Sequence, residues 1–351
     1  MVVIDPVTLQ AVQCYDAHQS HVVKVKWCPD DTFHSANSPY QSRFASADAN
    51  GNILVWQLNK SKPVQTIPGG GRPVIDLQWL KGSPTILGIV YHPNTLTIVN
   101  LKHDTRVWSK DFPEDLLFFS FDPFHLDRAC ALSVSGGLYV IKDLHLDKGK
   151  EPEIQRYHVA DDADPAKRKA AAAAAQKQVK KETFKLQALL ARSNIVFMAY
   201  SLTERNLIYF VLRAEVLLMD LSVLQFVGSI PQEPRSSQFT SVILCRNHPS
   251  LLFSVHENGS LVVREMRKKS TSRESGFEIS YSTIAQSDSL KFFKGSKFIT
   301  AVNNPVSETD LVGVTSDGRM FVFSPSPRSS SCNPRPPPNS LFYFLFFFFA
   351  D

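Results

Sequence analysis

Four stretches of the chain carry one signal, a glycine turn between two apolar runs. They are ASADANGNILVW around Asn50-Gly51, ALSVSGGLYVI around Gly136-Gly137, LFSVHENGSLVV around Asn258-Gly259 and LVGVTSDGRMFVF around Asp317-Gly318. Such a stretch reads as a β-hairpin, and in a two-residue turn both central residues must accept positive φ. Two weaker copies without glycine turn near Asn94 and Ala214. Taken at 51, 94, 136, 214, 259 and 318, the turns are 43, 42, 78, 45 and 59 residues apart. Three of these gaps match the ~40–45 residues of a four-stranded propeller blade. The gap of 78 is one such period with an insertion.

A second marker recurs upstream of the turns. Apolar strands end near Pro29, Pro123, Pro249 and Pro305, as expected of a residue with no N–H for the ladder. Outside one alanine-rich stretch, β-branched and aromatic residues run throughout, so the chain reads as all-β. Residues 2–16 read as the second half of a blade, and the last blade stops after MFVFSP without a fourth strand. The expectation is a β-propeller of about seven blades with incomplete closure over residues 1–325. Unpaired edges are a liability for association.

The insertion spans about residues 148–190. Asp164-Pro165 opens a helix signal ahead of an alanine run. Residues 161–181 carry six Lys or Arg against three Asp. It reads as a solvated helix or a disordered insert, and the sharper alternative is a basic surface for an acidic partner or weak anionic-membrane contact. RKKSTSR at Arg267–Arg273 reads as a second basic loop. The net charge of +5 is mild, so nucleic acid is disfavoured. Residues 326–351 read as a disordered Pro/Ser-rich tail ending in LFYFLFFFFAD. A pyrimidine tract translated beside a splice site would give such a phenylalanine run, a hypothesis refuted by abundant spliced transcripts carrying it; a short apolar plug is the alternative.

No basic start with a following apolar run marks a signal peptide. The apolar block Leu341–Ala350 is half of the ~20 residues that a membrane helix needs. The five cysteines are scattered without CxxC, which favours a reduced, intracellular compartment. Catalysis is weakly supported. His18 and His21 with Cys28 lack the helical context of a metal motif, Gly69–Gly71 lacks the Lys-Ser/Thr of a phosphate loop, and no GxSxG occurs. Asp48 and Asp317 sit at turns, where Asp is favoured for backbone reasons. No catalytic, cofactor or metal residue is expected. Trp27, Trp79 and Phe121 end inner-strand candidates and read as core, whereas Trp108 reads as half exposed.

ASADANGNILVWQL resembles the middle hairpin of a WD40 repeat, with Trp56-Gln57 where the Trp-Asp pair stands. The resemblance implies a network of a strand serine, a turn acid, the tryptophan and a loop histidine. Here those parts fall to Ser46, Trp56 and one of His18 or His21, with Asn50 at the turn position. Gly51, Gly136, Gly259, Asp317 and Gly318 are the other repeat positions. More narrowly, VVIDPVTLQAVQ, HVVKVKW, SPYQSRFASADANGNILVW, FSFDPF and HENGSLVVR, in this order, are similar to the first propeller of the WD repeat-containing protein 11 family. That resemblance implies a non-catalytic scaffold with protein partners, in the cytoplasm and at the trans-Golgi, helping to capture vesicles. Hedgehog, ciliary or nuclear signalling is the second setting it implies. A ubiquitin-ligase substrate receptor is the rival, but VWQLNK lacks the Asp and Arg expected of one.

Overall fold

The computed structural model describes residues 1–4, 11–28, 43–58, 60–144, 146, 151–157, 195–233, 236–270, 277–287, 289–290, 297–303, 308–323 and 344–346. The insertion core at 158–194 and the tail outside 344–346 lie beyond them, as do Pro29, Pro305 and Arg273. The elements among the described residues are strands.

Two short strands, β1 (Val2–Ile4) and β2 (Ala11–Cys14), precede the first blade. That blade is β3 (Val22–Trp27), β4 (Arg43–Asp48), β5 (Ile53–Gln57) and β6 (Gln65–Ile67). The second holds β7 (Val74–Trp79), β8 (Ile86–Tyr91), β9 (Thr95–Asn100) and β10 (Thr105–Asp111). The third holds β11 (Leu116–Phe121), β12 (Ala129–Ser133), β13 (Leu138–Lys142) and β14 (Glu153–Tyr157). In the fourth are β15 (Ile195–Tyr200), β16 (Leu207–Leu212), β17 (Glu215–Asp220) and β18 (Gln225–Pro231). The fifth has β19 (Phe239–Leu244), β20 (Leu251–His256), β21 (Leu261–Ser270) and β22 (Phe277–Gln286). All five are antiparallel sheets in sequence order. A sixth holds, among the described residues, β23 (Phe298–Asn303), β24 (Leu311–Thr315) and β25 (Met320–Phe323). The last sheet, ordered β2-β1-β26, joins the start of the chain to β26 (Phe344–Phe346) from its tail.

Successive first strands lie side by side, β3 with β7, β7 with β11, and so on to β19 with β23. They form the inner wall. The second strands β8 and β16 are buried at every residue, because a neighbouring blade covers each face. This is why ILGIVY and LIYFVL are continuous apolar runs rather than alternating ones. Trp79 and Phe121 end their inner strands and are buried.

Among the described residues, seven apolar clusters fill the gaps between sheets. Leu77, Trp79 and Ile89 pack against Ala45 and Val55 between the first two blades. At the seam, Val3 and Tyr15 pack on Phe44 and Trp56. On the other side of the terminal sheet the cluster thins to Val312 and Val314, with Val2 and Met320 against them. Apolar contact thus runs round the ring, and among the described residues the sixth sheet has three strands.

Several local expectations change. The basic stretch is not a loop at its start, since Arg267–Ser270 extends β21 and pairs with Phe277–Ser280. Trp108 is buried and not half exposed; it sits in the core between the second and third blades, and its Nε1 donates to Glu151 at 3.1 Å. Part of the tail, read as disordered, is the strand β26 against β1.

Candidate functional site: a turn network and an inter-blade cleft

The four glycine turns share one geometry. In each, the last residue of the second strand donates its N–H to a carbonyl four residues on, and the glycine between them donates back: Asp48 with Asn52 and Gly51, Ser133 with Gly137 and Gly136, His256 with Ser260 and Gly259, Thr315 with Arg319 and Gly318. Only the glycines take positive φ, at 83°, 84°, 74° and 77°. These are three-residue loops, a type I turn followed by a left-handed glycine, and not turns with two positive-φ centres. Asn50 keeps ordinary backbone angles. Gly51 is further constrained by space, because a Cβ there would stand 1.9 Å from the Arg72 carbonyl oxygen.

The first of these turns holds the polar cluster of the first blade. Trp56 is fully buried and its Nε1 donates to Ser46 Oγ at 2.7 Å. Indole N–H is donor only, so Ser46 accepts there and turns its own hydrogen to His18 Nε2, 2.6 Å away. His18 Nδ1 then carries the proton and donates to Asp48 Oδ2 at 3.2 Å. Asp48 Oδ1 accepts the N–H groups of Asn50 and Asn52 at 3.0 and 2.9 Å. Burial lowers the His18 pKa against the opposing pull of Asp48. Burial would raise Asp48, but the bonds from Asn52 and His18 outweigh it and hold the carboxyl below its usual range. The pair is a neutral imidazole on a carboxylate.

The turn acid is therefore Asp48, two residues before the position read for it at Asn50, and the histidine is His18. His21 contributes only its carbonyl, to Ala49 N–H at 2.9 Å. At the fourth turn Asp317 accepts from Thr315 Oγ1 and from Arg319 Nε.

The fifth blade rebuilds the same positions with other chemistry. From Ser46, the acid, glycine and tryptophan follow at 2, 5 and 10 residues; from Ser254, His256, Gly259 and Arg264 follow at the same offsets. The registers agree, Phe44 opposite Trp56 and Leu252 opposite Arg264. Arg264 is 1% exposed. Its Nε donates to Ser254 Oγ at 3.3 Å and its Nη1 to Glu233 Oε1 at 2.9 Å. His256 is fully buried, bonded to Ser254 Oγ and the Ser237 carbonyl, with the Phe239 ring centred 4.7 Å away. Burial lowers its pKa, and nearby Arg264 adds to this. Burial also lowers that of Arg264, opposed by Glu233. The motif search missed these residues, although the repeated offsets from a strand serine mark them. In three blades the segment entering the inner strand supplies the partner: His18, Glu114 to Ser133 at 2.5 Å, and Glu233.

A cleft of about 260 Å³ opens where β6 meets β9 and β10, lined by Thr66, Arg72, Tyr91, Thr97, Asp104 and Arg106 among others. Arg72 lies over the Tyr91 ring, 5.0 Å from its centroid, and its Nη1 donates to Thr95 Oγ1 at 3.2 Å. Gln65 Nε2 donates to Asp104 Oδ1 at 2.9 Å. The walls are hydroxyls, guanidinium groups, the Asp104 carboxylate and aliphatic carbons. Among the described residues no group of three or more His, Cys, Asp or Glu could hold a metal ion. No helix there is long and apolar enough to cross a membrane.

Radial four-stranded sheets, the serine–histidine–tryptophan network and the recurring glycine turn define a WD40-type β-propeller. Solved propellers share the fold at 11% identity. The Cps50 (Swd1) β-propeller domain of Myceliophteria thermophila has a TM-score of 0.62, covering 88% of this chain and 84% of that one. A chain of a mitotic checkpoint complex has a TM-score of 0.58, covering 89% and 77%. Residues 1–274 match the model of the WDR11 first β-propeller, and the chain belongs to that family. It is 32% identical over 360 residues to human WD repeat-containing protein 11 and 30% identical over 344 residues to the Danio rerio protein. These alignments cover 95% and 92% of this chain but 28% of each relative's length. The family supports a WD-repeat scaffold with a role in protein interaction.

Proposed function

We propose that this chain is a non-catalytic docking module in vesicle capture at the trans-Golgi, in the cytoplasm, and that it presents blade loops and inter-blade clefts to protein partners. The supporting observation is the family match over residues 1–274, together with the use of the polar cluster. His18, Ser46 and Asp48 are committed to one another and to a turn, so the groups that an acid–base reading needs are already used in holding the fold. The trafficking setting rests on the family resemblance. Affinity purification of this chain from cells, beside a full-length relative, tests it. Recovery of Golgi-tethering subunits by both is expected. Recovery of ciliary or nuclear factors in their place would move the module to signalling, and recovery of a ubiquitin-ligase adaptor would make it a substrate receptor.

A further inference from the structure

Among the described residues, five blades end on a fourth strand and the sixth on its third. β25 pairs with β24 on one side, and among the described residues nothing pairs with the other. Thr315 N–H donates to the Arg319 carbonyl, so by alternation Met320 and Val322 aim their N–H and C=O groups away from β24. The first blade shows what belongs there. Val55 stands at the position of Val322, and its carbonyl accepts from Val64 at 2.8 Å as the fourth strand arrives. On β25 nothing among the described residues takes that edge, and Val322 is 58% exposed.

Met-Phe-Val-Phe holds neither charge nor proline, the usual protections of an edge strand. The sequence that follows is ill suited to cover it. SPSPRSSSCNPRPPPNS has no backbone donor at 325, 327, 334, 336, 337 and 338, and Phe344–Phe346 is committed to β1. A second copy offers a strand with the same uncharged edge, free of proline.

We propose that two copies associate by antiparallel pairing of β25 with its counterpart, about a two-fold axis at Val322. In this register the outward N–H and C=O groups of the two Val322 residues bond to each other, and two three-stranded sheets become one of six. Arg319 then faces position 325 of the other copy, so no like charges oppose. The contact is isologous and self-limiting. A four-residue strand gives a small interface, so the association is weak and concentration-dependent.

Sedimentation of the whole chain over a concentration series tests this, and a monomer–dimer equilibrium is expected. Val322→Pro removes one outward donor at a position where an edge strand tolerates proline, and Val322→Lys places two ammonium groups at the axis. Each should weaken dimerisation at least about tenfold with an unchanged circular dichroism spectrum, while Val322→Thr retains it. In a Cys14→Ser, Cys332→Ser background, oxidised Val322→Cys should give a covalent dimer, since paired Cα atoms at about 5.5 Å suit a disulfide. A chain monomeric into the high-micromolar range overturns the proposal, as does a dimer unmoved by both Val322→Pro and Val322→Lys.

Discussion

Replacing Ser46 by alanine removes one oxygen and isolates two buried groups. Ser46 and Trp56 are fully buried, so water cannot substitute for the lost hydroxyl without entering the seam cluster of Val3, Tyr15 and Phe44. Trp56 Nε1 loses its acceptor at 2.7 Å and His18 Nε2 its donor at 2.6 Å. A buried polar group left unsatisfied costs about 1–3 kcal/mol. Two such groups give about 2–6 kcal/mol, against a methylene-sized change in volume worth about 1 kcal/mol. Trp56→Phe removes the indole donor and leaves Ser46 still bonded to His18, so its cost is mostly lost packing. In the double variant the stranded indole N–H no longer exists. The combined cost should therefore fall short of the sum of the single costs by about 1–3 kcal/mol. Urea unfolding of the four proteins, read by tryptophan-independent far-ultraviolet dichroism, gives this coupling. If Ser46→Ala costs under about 1 kcal/mol and adds to Trp56→Phe without coupling, the polar network is ornament and the reasoning fails.

Acid should weaken the fold in a defined window. His18 and His256 have folded pKa values below their ordinary value of 6.5. The unfolded chain thus binds protons first as pH falls, and stability drops from about pH 6.5 downward until the folded imidazoles titrate, by up to about 1.4 kcal/mol per pH unit for each. Unfolding midpoints between pH 7.5 and 5 measure this slope, and His256→Gln should flatten it. At the turns, Gly51 and Gly70 both hold positive φ, but only Gly51 has backbone, the Arg72 carbonyl, where a Cβ would go. Gly70→Ala should cost about 1 kcal/mol and Gly51→Ala clearly more in the same denaturation assay. Arg264→Ala empties a fully buried site and takes the ion-pair partner from Glu233, while Ser254 keeps its bond to His256, and a loss of about 3 kcal/mol is expected. Arg264→Lys, which lacks the planar fork reaching both Ser254 and Glu233, should recover less than half of it.

The blades were legible because their signal is local. A glycine that must sit at positive φ, flanked by runs that a neighbouring sheet buries on both faces, leaves the same trace each time, and Gly51, Gly136, Gly259 and Gly318 all stand where the spacing places them. The turn type was not legible. Asn-Gly is compatible with a two-residue or a three-residue loop, and the pair of backbone bonds that defines the latter forms at all four turns whether Asp48, Ser133, His256 or Thr315 ends the strand. Trp108 was misread for a related reason. Its flanks, KHDTR and Lys110-Asp111, are polar, but its own side chain faces the third blade, and only the ring geometry reveals that neighbour.

The fifth blade shows how far chemistry can change while position holds. Tryptophan, serine and aspartate form a chain of hydrogen bonds that leaves the imidazole neutral, and arginine, serine and histidine at the same offsets again leave it neutral, with Glu233 supplying the charge that Asp48 supplies in the first blade. What the geometry preserves is a buried side chain on the third strand that donates to the strand serine, beside a turn-end residue fixed by a segment from the preceding linker. A search for Trp-Asp finds none of this, because the repeat constrains hydrogen-bond direction and volume rather than residue identity. The same constraint explains why worn copies remain blades: Ile141 and Phe323 occupy the position of Trp56 with no donor, and their strand partners at the position of Ser46 are Ala131 and Gly313, with no acceptor in the side chain. Donor and acceptor are absent together, so neither position strands a buried partner and apolar packing serves there instead.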